Sequence, residues 1–143
     1  MSVVKPFLLC ASMIIASCSF CLGQDTASPS LALLLMEMAA HDRYESGRIG
    51  FAATKSKQYE RFEQLAAVAT PEQLLDLAAN HKSGVVRLYA LQAMQKQKIH
   101  IPESLQTQFK NDTTRVKIFI GCVMNTKPIS ALIREGFIGR SLP

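Results

Sequence analysis

The sequence predicts an all-α fold, a short α-solenoid of about three helix–turn–helix units. Three observations lead there: a segment that repeats, capping residues and prolines where helices would begin, and apolar side chains at three- and four-residue spacing. The repeat has an offset of 31 and aligns Pro71-Glu72-Gln73-Leu74 with Pro102-Glu103-Ser104-Leu105. In the same frame Asn80 meets Asn111, Ser83 meets Thr114, Val85 meets Val116 and Ala90 meets Gly121. A weaker copy upstream, at an offset of 37, sets Ser46-Gly47 on Ser83-Gly84, Ile49 on Val86, Phe51 on Leu88 and Ala53 on Ala90. Units of this kind bury their apolar faces only against neighbours, so about three form a stable stack.

The chain begins with one charge, Lys5, followed by the apolar run Pro6 to Ser17. A short positive segment and ~7–15 apolar residues make the layout of a secretory signal peptide, and export is the expectation. Residues 1–23 are assigned to it, and the polar stretch 24–30 to a linker. Cys21-Leu22-Gly23 suits ordinary cleavage before Gln24, the favoured site. Ile15-Ala16-Ser17-Cys18 offers the alternative of a bacterial lipobox with lipidation at Cys18, and membrane attachment is expected only in that case. Ordinary cleavage removes Cys10, Cys18 and Cys21 and leaves Cys122 alone, which excludes an internal disulfide.

The repeat domain spans 31–137, and 138–143 forms a tail. Leu31 to Ala40, apolar except for Glu37, reads as a first helix too short to cross a bilayer. Tyr59, Phe62, Leu65, Ala66 and Ala69 oppose Glu60, Arg61, Glu63 and Gln64, an amphipathic helix. Thr70-Pro71-Glu72-Gln73 supplies an N-cap, a proline at the first helical position and a Gln that closes a capping box. Ser83 caps the next helix, apolar on most sides from Val85 to Met94, as a helix between neighbours requires. Val116 to Val123 is rich in β-branched residues and reads locally as a strand. The repeat frame nevertheless places it on the Val85 helix, and a strand without a partner would leave its backbone unpaired, so helix is expected. A last helix begins at Pro128 and carries Ile129, Leu132 and Ile133.

The segment from Leu74 to Met94 resembles HEAT-like repeats. Val86-Arg87 followed by the spaced alanines Ala90 and Ala93 carries the likeness, with Pro71 and Pro102 opening successive units. The copy around Arg115 departs from it, because there the arginine precedes its valine. The resemblance implies a binding or scaffolding role rather than chemistry.

The remaining residues are tested for chemistry one type at a time. His41, His81 and His100 form no H-x3-H pair and no C-x2-C exists, so neither a metal nor a cofactor is expected. No nucleophile-elbow, P-loop, dinucleotide-binding or H-E-x-x-H motif occurs, and no catalytic residue is assigned. Cys122 stands opposite Leu91 in the repeat frame and is expected to be a buried apolar cysteine, with a thiol enzyme the remote alternative. Arg87 is expected to tie neighbouring units together through a carboxylate or helix-end carbonyls. With 19% charged and 48% hydrophobic residues the chain is not disordered, and its net charge of +5 suits acidic partners or an anionic membrane. Nucleic acid is excluded as a partner by export and by the absence of a recognition motif. The expected role is that of an exported, non-catalytic module that binds a protein or envelope component. In the alternative, a lipoprotein serves as an accessory subunit at a membrane.

Overall fold

A computed structural model describes residues 30–136; the expected leader 1–23 with Cys18, most of the expected linker and the expected tail 138–143 lie outside the described residues. Six helices and four strands follow one another as α1 (Leu31–His41), β1 (Arg43–Ile49), β2 (Thr54–Lys55), α2 (Lys57–Val68), α3 (Pro71–Asn80), α4 (Gly84–Lys96), α5 (Glu103–Asn111), β3 (Arg115–Gly121), β4 (Val123–Pro128) and α6 (Ile129–Arg134). The strands form one mixed sheet in the order β2-β1-β3-β4. β1 and β3 run parallel, while β2 and β4 close antiparallel hairpins on either side.

The helices form where the local chemistry asks for them. Ser30, Ser56, Thr70 and Ser83 accept a hydrogen bond from the third following N–H and so cap α1, α2, α3 and α4. The Thr70–Gln73 capping box is complete, with Pro71 at the first helical position. α4 is the centre of the molecule: Val85, Val86, Leu88, Tyr89, Ala90, Leu91, Ala93 and Met94 are all buried, against α1, α2, α3, β1 and β3. No described helix is long and apolar enough to cross a membrane.

The all-α solenoid is overturned by the sheet. Arg115–Gly121 and Val123–Pro128 are a β-hairpin, not a helix. The expectation failed because it denied Val116–Val123 a partner strand. The partner is β1, about 70 residues upstream in the sequence, which pairs Arg43 with Lys117, Tyr44 with Ile118 and Glu45 with Phe119. The upstream repeat copy falls on β1 and the turn after it, so Ser46-Gly47, Ile49, Phe51 and Ala53 are not helical. The downstream copy is half real: α5 follows Pro102 as α3 follows Thr70, but a strand replaces the counterpart of α4. One helical hairpin, α3–α4, survives from the expected stack.

The alternation along β3 sets which side of the sheet meets the core. Val116 and Ile118 are buried, while Arg115 and Lys117 face solvent. On the buried side Tyr44 packs its ring 4.7 Å from that of Tyr89, which lies 5.4 Å from Phe62. α4 approaches this layer through Gly84, where a β-carbon would stand 2.9 Å from Val116 Cγ2 and 3.3 Å from Ile129 Cδ1.

Candidate functional site

The outer side of the sheet begins with a buried carboxylate. Glu45 on β1 is 2% exposed, yet both its oxygens are occupied. Oε1 accepts from Arg43 Nε at 2.7 Å and contacts His41 Nε2 at 2.8 Å, and Oε2 accepts from Ser56 Oγ at 2.6 Å. Burial alone would raise the Glu45 pKa. The hydrogen bonds from His41, Ser56 and Arg43, with the Arg43 charge, outweigh it and hold the carboxyl below the usual range. Ser56 also caps α2 through Tyr59 N–H, so this cluster joins α1, β1 and α2 at one point.

Arg43 is thereby held flat on the sheet, its guanidinium 5.4 Å from the centre of the Phe119 ring. Strand register places Lys117 beside it on β3 and Thr126 next to Lys117 on β4. Arg115, two residues before Lys117, reaches across the hairpin to donate to the Thr126 carbonyl at 3.1 Å. Together Arg43, Arg115, Lys117, Met124, Asn125 and Thr126 line an open groove of about 470 Å³. Lys117 is paired with Asp42 at 3.2 Å, both largely exposed, whereas Arg115 has no carboxylate partner among the described residues.

The groove borders the sheet's β4 edge. Its main chain is blunted at Thr126, where the N–H donates to Asn125 Oδ1 at 2.7 Å and the carbonyl is taken by Arg115. Pro128 ends the strand without an N–H. Side chains rather than backbone are therefore what this surface offers to a ligand.

The residues singled out in the sequence are scattered by the fold. Pro71 opens α3, Pro102 precedes α5 as its N-cap, and Val86, Ala90 and Ala93 are buried in α4. Arg87, expected to tie neighbouring repeat units, instead joins α4 to the segment before β3 and to the α3–α4 turn: it donates to Asp112 Oδ2 at 2.6 Å, Thr114 Oγ1 at 3.0 Å and the His81 carbonyl at 3.2 Å. His41 joins the Glu45 cluster. His81 Nδ1 accepts from Ser83 N–H, and burial, with the charges of Lys82 and Arg87, holds its pKa below the ordinary value. Among the described residues no group of three potential metal ligands assembles.

Cys122 is a correction. It is exposed in the β3–β4 turn, not buried opposite Leu91, because the hairpin carries it to the end of the sheet. No histidine hydrogen-bonds to it.

Sequence reasoning missed Arg43, Glu45, Arg115 and Lys117. Two signals could have found Arg115 and Lys117, and none in the sequence marks Arg43 or Glu45. Arg115-Val116-Lys117-Ile118 alternates with period two, the mark of a half-buried strand. The stretch 113–134 also holds four cations and no acid. No protein-family model matches this chain, and neither a curated protein nor a solved structure is significantly similar to it.

Proposed function

We propose that the chain is an exported, non-catalytic binding module of the cell envelope, which takes an acidic segment of a protein partner on the outer side of its sheet. The observation that carries this reading is the groove in which Arg43, Lys117 and Arg115 stand side by side next to Met124, with the Arg115 charge unpaired by any described carboxylate. An arginine fixed by a buried acid and laid over an aromatic ring is pre-oriented, so it loses little side-chain freedom when a carboxylate arrives. The neighbouring cations add attraction at longer range. Export rests on the leader sequence and a lack of chemistry on the absence of catalytic motifs.

The test is a fluorescence-anisotropy titration with a labelled glutamate-rich peptide. Binding should weaken as salt rises, because the attraction is screened over about 10 Å at 0.1 M salt. The variant Arg115→Glu/Lys117→Glu should lose about tenfold or more in affinity with an unchanged melting temperature, a difference of ~1.4 kcal/mol. Equal binding by that variant, or equal binding of a lysine-rich peptide, overturns the reading.

A further inference from the structure

The two hairpin turns at one end of the sheet are joined to each other. Gly50 N–H donates to the Gly121 carbonyl at 2.8 Å, and Gly121 N–H donates to Ser46 Oγ at 3.1 Å. The β1–β2 turn is closed by Ala53 N–H donating to the Gly50 carbonyl at 3.0 Å, with Gly50 at φ +73° and Ala53 at φ +50°. This backbone pushes Phe51 off the molecule, 103% exposed. Ala52 and Ala53 beside it in the turn are also exposed, as is Cys122 in the neighbouring turn. A phenyl ring this bare keeps its apolar surface in water, so transfer into an apolar phase would be favourable.

Cations collect behind the tip. Arg48 donates to the Ala53 carbonyl at 3.2 Å, which holds its guanidinium against the turn, and no described carboxylate pairs with it. Lys55 on β2 pairs with Glu60 and Glu63, and Lys57, the first residue of α2, pairs with Glu60. Residues 46–59 contain three cations and no acid, and residues 113–134 contain four cations and no acid. Glu45 pairs with Arg43 within β1 itself, while Asp42, Glu60, Glu63 and Glu135 reach in from outside the hairpins.

We propose that this double turn is a membrane-docking tip, in which Phe51 enters the interface of an anionic bilayer while Arg48 meets the headgroup phosphates. The surface is convex, a protruding aromatic ring among small residues, and a deformable apolar phase accepts such a shape without a matching pocket. Arg48 and the acid-free stretches 46–59 and 113–134 behind it favour a negatively charged surface. This contact is independent of lipidation at Cys18 and of the groove described above, which lies further along the outer side of the sheet. Docking of this kind, one aromatic and a few cations, is reversible and salt-sensitive.

The chain contains no tryptophan, so Phe51→Trp in the full chain carries a single reporter. Its emission should shift to the blue with vesicles of phosphatidylglycerol mixed equally with phosphatidylcholine, and brominated acyl chains should quench it. A tryptophan introduced by Leu75→Trp on α3 should do neither, which separates insertion of the tip from binding by the leader. Phe51→Ser and Arg48→Glu should each weaken vesicle sedimentation by about tenfold at equal thermal stability. The proposal is overturned if the Phe51→Trp emission stays at its aqueous position while the chain sediments with vesicles. It is equally overturned by the same shift with phosphatidylcholine alone, or by a concentration-dependent shift in buffer that reveals a protein pocket on a second copy.

Discussion

The Tyr89 hydroxyl closes on both main-chain groups of Glu45, accepting its N–H at 2.8 Å and donating to its carbonyl at 2.9 Å. One phenol from α4 therefore does for β1 what a neighbouring strand would otherwise do. It stands where β1 begins to part from β3, since their register shifts between Glu45 and Ile49. Burial holds the Tyr89 pKa above its ordinary value, with the hydrogen bond to Glu45 opposing. The proton needed for the donated bond is thus retained across the neutral range.

Tyr89→Phe should accordingly cost ~2–3 kcal/mol, since two buried main-chain groups lose their partner at once. Urea denaturation measures it. A loss below about 0.5 kcal/mol would mean that water replaces the hydroxyl at no cost.

Glu45 makes stability depend on pH in one direction. Its native pKa lies below the ordinary 4.5, so the folded chain binds fewer protons than the unfolded chain as pH falls through this range. Its contribution is complete above the unfolded value and disappears as pH drops through the lowered native one. Glu45→Gln should destabilise the fold by about 1–3 kcal/mol at pH 7 and should flatten the acid limb of the stability curve. Urea midpoints between pH 7 and about pH 3 report both effects.

The Arg87–Asp112 pair is mostly buried, with side chains 14% and 12% exposed, and it fastens α4 to the segment that leads into β3. Asp112 also accepts from Thr114 N–H, and its carbonyl accepts from Ser130 N–H at the start of α6. Arg87→Ala should cost ~3 kcal/mol, because a nearly buried carboxylate is left without its cation. Arg87→Lys should recover only part, since an ammonium cannot serve Asp112, Thr114 and the His81 carbonyl in one plane. Thermal melts of the three proteins decide it.

Gly84→Ala sets helix propensity against packing. At this first helical position alanine gains at most the interior figure of about 1 kcal/mol over glycine, yet its β-carbon would fall 2.9 Å from Val116 Cγ2. Overpacking of this kind costs ~1–3 kcal/mol, so a net loss is expected. Val116→Ala in the same chain should make Gly84→Ala neutral or favourable, which a double-mutant cycle tests.

Cys122 should react with iodoacetamide in the folded protein at the rate of an open thiol, located by peptide mapping. Cys122→Ser should change stability by no more than about 0.5 kcal/mol. Slow labelling that needs urea would restore the buried cysteine expected from the repeat frame.

Helices α1 to α4 and α6 could be read from the sequence because their signals are local. Thr70, Pro71 and Gln73 act within one turn, and the spacing of Phe62 and Leu65 shows which side of α2 is buried. Of the site, only the charge excess was visible. Glu45 and Arg43 sit in a stretch broken by Gly47 and Gly50 that carries no strong strand pattern, so neither β1 nor its cluster could be anticipated.

The sequence by itself determined the caps, the apolar stripes and the apolar character of α4 on most of its sides. Each depends on side chains within a few residues or on a property of one helix. Tertiary structure decided whether Val116–Val123 would coil or extend, and with it the fold class, the exposure of Cys122 and the cationic groove. A strand has no internal hydrogen bonds, so its identity belongs to the pair, and the pairing of Arg43 with Lys117 joins residues far apart along the chain. Once β1 supplies the partner, β-branched residues and paired backbone groups both favour the extended form, and the periodic likeness to α4 counts for nothing.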